Sequence, residues 1–335
     1  NERVLMDYRQ TIMDLFMENY TMPWVEWARR QNKISRLQAH GSPGNLLDLY
    51  AASDIPETEG KDLLRMKFAS SAANVTGKSI VSAEAATHLN ESFTSTLSDL
   101  KRNVDKLFLA GVNHIFYHGT AYSPVQEDWP GWFFYVAVHL NPQNPIWEDL
   151  PAYNAYAARV QSILQSGRPD SDFLLYFPVN DRYAERNSYP AGRVDGDGPH
   201  GKLLEHFNAR GEGWESSVFR SLADTLLQAG HAMDFISDLQ LQKLNLNRNT
   251  LVSDGNEYRA IVLPACRYIP LETFRKILDL ATGGAVVIFQ DKLPANVPGW
   301  HQYKERQASL RALKSTIRFE PLLDGLKQAR MGKGM

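Results

Sequence analysis

Helical and strand signals alternate along this chain from its start to about residue 166, and no other feature limits the fold as tightly. Strands separated by helical stretches call for a parallel sheet, because parallel neighbours need a crossover to bring the chain back. Strand signals fall at Lys33 to Gln38, at Ser79 to Ser82 running on to Glu84, and at Val112 to Tyr117. Leu46 to Tyr50 reads as a further strand, followed by a loop from Ala51 to Gly60. Helical spacing covers the opening residues, Trp24 to Arg30, Lys61 to Val75, about Ser92 to Ala110, and Pro151 to Leu164. In the opening helix, Val4, Leu5, Tyr8, Ile12, Leu15 and Phe16 recur at three- and four-residue steps, which predicts that they form its buried face. In the helix from Ser92, the inward residues are expected to be Leu97, Leu100, Val104, Leu107 and Phe108.

Gly167-Arg168-Pro169 marks a boundary. Beyond it, Phe173 to Phe177, Ala232 to Ile236, Ala260 to Leu263 and Ala285 to Phe289 read as strands. Helices at about Glu215 to Ala229 and Leu271 to Ala281 separate them, in the doubly wound style. After about Pro298 the signal fades. Polar residues cluster past the C-terminal ends of the first strands: His40, the acidic stretch from Asp54 to Glu59, Glu84 and His118. In a (β/α) barrel that edge hosts the chemistry. Four strand units make half of an eight-stranded barrel, and a half leaves costly open edges. Residue 1 is therefore expected to be a cut inside a longer protein, with the missing N-terminal half of the barrel upstream. The expected fold class is α/β: the C-terminal half of a (β/α)8 barrel over 1–166, then a flavodoxin- or amidotransferase-like doubly wound domain over 167–335, cut short at its C-terminal end.

Composition narrows the function. A formal charge of −2 over 335 residues excludes nucleic-acid binding by bulk positive potential. The one cysteine, Cys266, excludes an internal disulfide framework and a thiolate metal cluster. It lacks the flanking glycines of a nucleophile elbow and reads as a small buried hydrophobe. No apolar run reaches the roughly 18 residues that a membrane span needs.

Glu84 is the sharpest chemical candidate, because small residues around a strand-end carboxylate leave room for a substrate. Glycoside hydrolysis uses two carboxyl groups, one protonated and one ionised; a helix-start carboxylate is the competing structural account. Asp54, Glu57 and Glu59 suit calcium, a hard cation that prefers oxygen, or else a solvated acidic turn. Trp129 and Trp132 lie in a loop crowded with aromatics, and such faces stack on sugars or pin a loop down. His40 and His118, the latter following Tyr117, are expected to bind substrate hydroxyls, and His114 to sit in the core. Asp195-Gly196-Asp197-Gly198 resembles the start of a calcium loop but reads as a surface turn, with Glu205 one residue early.

Several ordered motifs together resemble glycoside hydrolase family 106, the bacterial α-L-rhamnosidases. They are Arg36-Leu37-Gln38-Ala39-His40-Gly41, Leu47-Asp48-Leu49-Tyr50-Ala51, Asp54-Ile55-Pro56-Glu57-Thr58-Glu59 and Lys67-Phe68-Ala69-Ser70-Ser71-Ala72-Ala73. Ser82-Ala83-Glu84, Asn113-His114 with His118-Gly119, and Trp129-Pro130-Gly131-Trp132 complete the set. The likeness is strong over residues 1 to about 180, and the later domain is also similar to the post-barrel domain of family 42 galactosidases. The resemblance implies inverting, calcium-assisted removal of terminal rhamnose from an oligosaccharide or polysaccharide. It implies Glu84 as general base and Glu57 or Glu59 at the calcium; His40, Tyr117, His118, Trp129 and Trp132 are the expected sugar contacts from their own positions. The catalytic acid is expected before Asn1, which leaves the fragment inactive by itself, and a bacterial enzyme of this kind is expected in the periplasm or outside the cell. The alternatives are a retaining β-galactosidase of the family 42 type, with Glu84 as nucleophile, and a non-catalytic carbohydrate-binding module.

Overall fold

The computed structural model describes residues 2–89, 93–185, 214, 216–322 and 326–333. The chain opens with α1 (Glu2–Phe16), a π-helical turn (Met17–Thr21) and α2 (Met22–Arg30). The buried face of α1 is Met6, Arg9 and Met13, whereas Val4, Tyr8 and Leu15 are exposed, which corrects the face expected from periodicity. The reason is polar docking. Arg9 is only 1% exposed, and its guanidinium donates to the backbone oxygens of Tyr183 and Glu185 at 2.8 Å and of Arg182 at 3.2 Å.

Four strands follow: β1 (Arg36–Gln38), β2 (Ile55–Thr58), β3 (Ser82–Ala85) and β4 (His114–Tyr117). They pair in chain order, all parallel. The crossovers run through α3 (Leu46–Ala52), α4 (Leu63–Thr76) and α5 (Leu97–Leu109), and α6 (Leu150–Ser166) closes the region. Two expectations change here. Leu46 to Tyr50 is helix, because Asn45 caps it by accepting from the Leu47 amide at 3.1 Å. A short apolar run fits a buried helix as well as a strand, and Leu46, Leu47, Leu49 and Tyr50 are all buried. The stretch read as an acidic loop holds β2, so Glu57 stands within a strand.

Strand alternation splits this sheet into two unlike faces. Leu37, Ala83, Ala85, Ile115 and Tyr117 pack into the helical layer. Arg36, Gln38, Glu57, Ser82, Glu84 and Phe116 share the opposite face, where Gln38 lies beside Glu57, Glu57 beside Ser82, and Glu84 beside Phe116.

After α6 the chain builds a second parallel sheet from β5 (Phe173–Tyr176), β6 (Met233–Ile236), β10 (Ala260–Leu263) and β11 (Val286–Phe289), in the order β11-β10-β5-β6. The helices are α7 (Val179–Ala184), α8 (Val218–Gln228), α9 (Asp238–Gln242), α10 (Leu271–Gly283) and α11 (Tyr303–Ser315). The last lies where the sequence signal faded. A small antiparallel sheet, β7 (Asn245–Asn247), β8 (Thr250–Val252) and β9 (Glu257–Tyr258), was not anticipated, nor was the pair β12 (Glu320–Pro321) and β13 (Lys327–Gln328).

The two sheets share one core. Phe68 of α4 meets Phe177 edge-on at 4.9 Å and Phe235 at 5.1 Å, and Phe219 of α8 lies 4.9 Å from Phe235. Burying each such ring stabilises by about 1.5–3 kcal/mol. At the start of α4, Asp62 caps the helix and also accepts from the Trp214 indole and the Arg220 guanidinium, tying α4 to α8.

Candidate active site

In Ser82-Ala83-Glu84-Ala85 the alanines pack under the helices, so the two-residue period turns Ser82 and Glu84 to the open face. Glu84 stands inside β3 rather than beyond its tip. One carboxylate oxygen accepts the Thr87 hydroxyl at 2.6 Å and lies 3.2 Å from Nδ1 of His118. The other accepts from Nε2 of Gln38 at 3.2 Å. Thr87 Oγ1 is also 3.1 Å from His118 Nδ1. A hydroxyl that donates to the carboxylate accepts from the ring, so His118 carries its proton on Nδ1. The geometry comes from Ala86, whose left-handed backbone (φ 67°) turns the chain back so that Thr87 reaches Glu84. That conformation costs an alanine roughly 1–2 kcal/mol.

One strand away, Glu57 accepts from Ser82 Oγ at 2.8 Å and pairs with Nε of Arg36 at 3.1 Å. The Arg36 guanidinium in turn lies 3.6 Å from the centre of the Phe116 ring. Burial raises the Glu57 carboxyl above the usual carboxylate range; Ser82 and Arg36 oppose the rise, and the charges of Glu84 and Glu59 add to it. At the end of β2, Glu59 meets Nε2 of His40 at 2.9 Å. Three carboxylates and two histidines therefore gather over the four neighbouring strands.

Calcium takes six to eight oxygens. Glu57 is held by a guanidinium and a hydroxyl, and Glu59 by an imidazole. Among the described residues no group of three or more His, Cys, Asp or Glu side chains is placed to hold a metal ion. Among the described residues the donor set does not by itself fit calcium. Asp54 lies at the opposite end of β2, where it accepts from the Ser35 amide and hydroxyl at 2.8 Å and from Arg29 at 2.7 Å. It is a staple, apart from Glu57 and Glu59.

The remaining candidates divide. Tyr117 faces the helical layer, 5.9 Å from the Tyr153 ring, which corrects its expected place among the sugar contacts. His114 is half-buried against Phe116 on the open face instead of in the core. Both corrections follow from the register of β4, which puts His114 and Phe116 on the Glu84 side. The ring that touches His118 is Phe134, edge-on at 5.5 Å. Trp129 is 67% exposed, with its indole donating to the Gln143 carbonyl at 3.1 Å and its ring against Phe93. Trp132 is also exposed, and its amide donates to Ser123 Oγ at 2.8 Å. Cys266 is buried, and burial pushes its thiol well up, as befits a small hydrophobe. Asp195, Asp197 and Glu205 lie outside the described residues.

Arg36, Gln38, Ser82 and Thr87 were missed. The first three were within reach: Arg36/Gln38, Glu57/Glu59 and Ser82/Glu84 are polar pairs two residues apart inside strand segments, the mark of an uncovered sheet face. Thr87 depends on the turn at Ala86, which no local pattern announces.

Comparison with known proteins bears on this geometry. The family profile of glycoside hydrolase family 106, described as alpha-L-rhamnosidase, matches residues 1–188. A curated protein of Formosa agariphila named "Putative beta-glucuronidase" is 26% identical over 323 residues, covering 94% of this chain and 24% of that protein. Among solved structures, a rhamnosidase from Novosphingobium sp. PP1Y matches with a TM-score of 0.74 and 23% identity, over 99% of this chain and 30% of its own. A β-galactosidase from Bacillus circulans sp. alkalophilus matches with a TM-score of 0.59 and 10% identity, over 97% and 46%. At such identities the two structures speak for the fold alone. The chain spans less than half the length of each of these relatives.

Proposed function

Because this chain belongs to glycoside hydrolase family 106, the α-L-rhamnosidases, we propose that it supplies the general-base side of an active site that releases terminal α-L-rhamnose with inversion. The observation that carries this reading is Glu84, half-buried on an open sheet face and bonded to Thr87, Gln38 and His118. Glu84 takes a proton from a water lying over the open face as that water attacks the anomeric carbon. His118 and Thr87 hold the carboxylate in place, and the attacked bond breaks towards a leaving group on the opposite side.

Inversion places the two carboxyl groups roughly 6.5–9.5 Å apart. Glu57 and Glu59 are already tied to Arg36 and His40, so the proposed acid belongs to a strand outside these four. The first sheet is then half of a (β/α)8 barrel, and the second domain buttresses it through the Phe68 cluster. His40, His118, Trp129 and Trp132 are the proposed sugar contacts. Calcium enters no step of this proposal. Action in the periplasm or outside the cell belongs to the same reading and is checked by cell fractionation.

The test is Glu84→Gln in the intact enzyme that carries this segment. A positioned general base contributes about 10²–10⁴-fold, so turnover of an aryl α-L-rhamnoside is expected to fall by that factor while rhamnose binding persists. In the wild type, proton NMR is expected to show β-L-rhamnose as the first product. An α-anomer released first, or a Glu84→Gln enzyme of normal turnover, defeats the proposal.

A further inference from the structure

The second sheet reverses its strand order between β5 and β10. In doubly wound folds ligands bind beyond the C-terminal strand ends at such a reversal. Here that crevice holds a cavity of about 580 Å³, and Glu84 is not among its lining residues. All four strands feed its wall: Asn180 follows β5, Gln242 follows β6, Thr273 follows β10 and Arg306 follows β11. Met6 and Met13 of α1 roof it, together with Met17 of the π-helical turn that follows. The roof is fastened on several sides. Asp7 accepts from the Trp300 amide at 2.8 Å, Arg3 donates to the Gly299 carbonyl at 3.2 Å, and Arg9 holds the carbonyls after β5. The cavity opens to solvent where Gln10, Asp14, Leu239, Gln242 and His301 are exposed, so a small molecule can enter it.

Asn180 points to one. It is 7% exposed, it lines the cavity, and its carboxamide makes no side-chain hydrogen bond among the described residues. Its oxygen and nitrogen are open to the cavity rather than sealed from water, so a ligand that both donates and accepts can bond them there. The chemistry of the wall selects the class. Asp48 and Asp238 line the cavity along with the amides of Asn180 and Gln242, and carboxyl groups outnumber Arg306 and His301, which disfavours an anion. Asp238 is already held by the hydroxyls of Tyr176 at 2.8 Å and Thr273 at 2.6 Å. What is left is amide hydrogen bonding beneath a roof of thioethers, suited to hydroxyls on one side and C–H groups on the other. The volume lies within the usual range of about 300–1,000 Å³ for small-ligand sites.

We propose that this cavity is a second sugar site, which takes a neutral mono- or disaccharide and is anchored by Asn180. It stands independently of the role of Glu84. The test is methyl NMR on the chain labelled at its eight methionines, titrated with methyl α-L-rhamnoside and with maltose, and separately with spermidine as a cationic probe. Saturable shifts are expected at Met6, Met13 and Met17 with at least one of the sugars. Affinity is expected to fall tenfold or more in Asn180→Leu and in Gln242→Trp, which plugs the mouth, and to stay unchanged in Glu84→Gln. If Asn180→Leu does not fold, the mouth variant carries the test. The proposal is overturned if those three methyls stay still with both sugars, if they respond to spermidine alone, if the two variants bind as the wild type does, or if Glu84→Gln abolishes the response.

Discussion

The two parallel sheets are built by the same connection rule yet carry opposite residues. In the second sheet, every residue of β6 and β10 is buried, and Ala260 to Leu263 is wholly aliphatic. In the first, each strand has one apolar face, while the other carries Arg36, Gln38, Glu57, Ser82 and Glu84. The carboxylate of β6, Asp234, is fully buried and has a donor on each oxygen, Asn74 at 2.9 Å and the Tyr258 hydroxyl at 3.1 Å, because burying an unpaired charge costs several kcal/mol. Glu57 and Glu84 also have partners, but they stand on an uncovered face that a substrate can reach, and there chemistry can happen. The lesson concerns placement: stability is concentrated in one sheet and reactivity in the other.

The sharpest way to break that division is to exchange the assaults. Ile261→Ala in β10, at a fully buried position, is expected to cost about 2–5 kcal/mol of stability, read as a shift in denaturation midpoint. Glu84→Gln keeps the volume and the hydrogen-bonding shape, so its stability is expected to stay within about 0.5 kcal/mol of wild type, as for substitutions away from packed cores. Equal losses in the two variants would mean that the open face is structural after all.

A smaller effect sharpens the contrast within the first sheet. Thr87→Val removes the hydroxyl between Glu84 and His118 while keeping the side-chain volume. In the intact enzyme a fall of about tenfold in kcat is expected, worth about 1.4 kcal/mol, with KM within twofold of wild type. Thr87→Ser is expected to restore most of it. A loss in KM alone, or no rescue by serine, would leave Thr87 a structural residue.

The sequence announced these two sheets unevenly. The buried strands of the second sheet were legible because continuous aliphatic runs between turn signals have few other uses. Glu84 was legible because small residues flank it. Asp54, Glu57 and Glu59 were misread as one acidic turn, because proline within four β2 residues hides a strand, and only pairing with β1 and β3 reveals it. The buried face of α1 was misread because Arg9 outweighs the aliphatic stripe once backbone carbonyls from a distant helix are in reach. Contacts between residues far apart in sequence decided every one of these misses.

The smallest effect lies at the seam between the two sheets. Asp48 of α3 accepts from the Ser237 hydroxyl at the edge of β6. Burial pushes Asp48 up to about 7 from 3.8; the Ser237 hydrogen bond and Lys243 oppose the rise, and Asp238 adds to it. The sign follows from proton counting. Between about pH 4 and pH 7 the folded state keeps a proton that the unfolded state has released, so this group's contribution to stability falls as pH rises through that window and stays lost above it. Asp54 and Asp62 are held below the usual range and act in the opposite direction, losing stability as pH falls. The informative quantity is therefore the difference between Asp48→Asn and wild type, in which their contributions cancel. Asparagine keeps an oxygen for Ser237 and cannot ionise. Its melting temperature is expected to match wild type near pH 4 and to exceed it by about 1–2 °C at pH 8, the shift that roughly 1 kcal/mol gives when 335 residues unfold with about 2.1 cal/mol/K each. A difference that is the same at both pH values would show that Asp48 reaches water, and that the two sheets meet across a wetter seam than their shared aromatic core suggests.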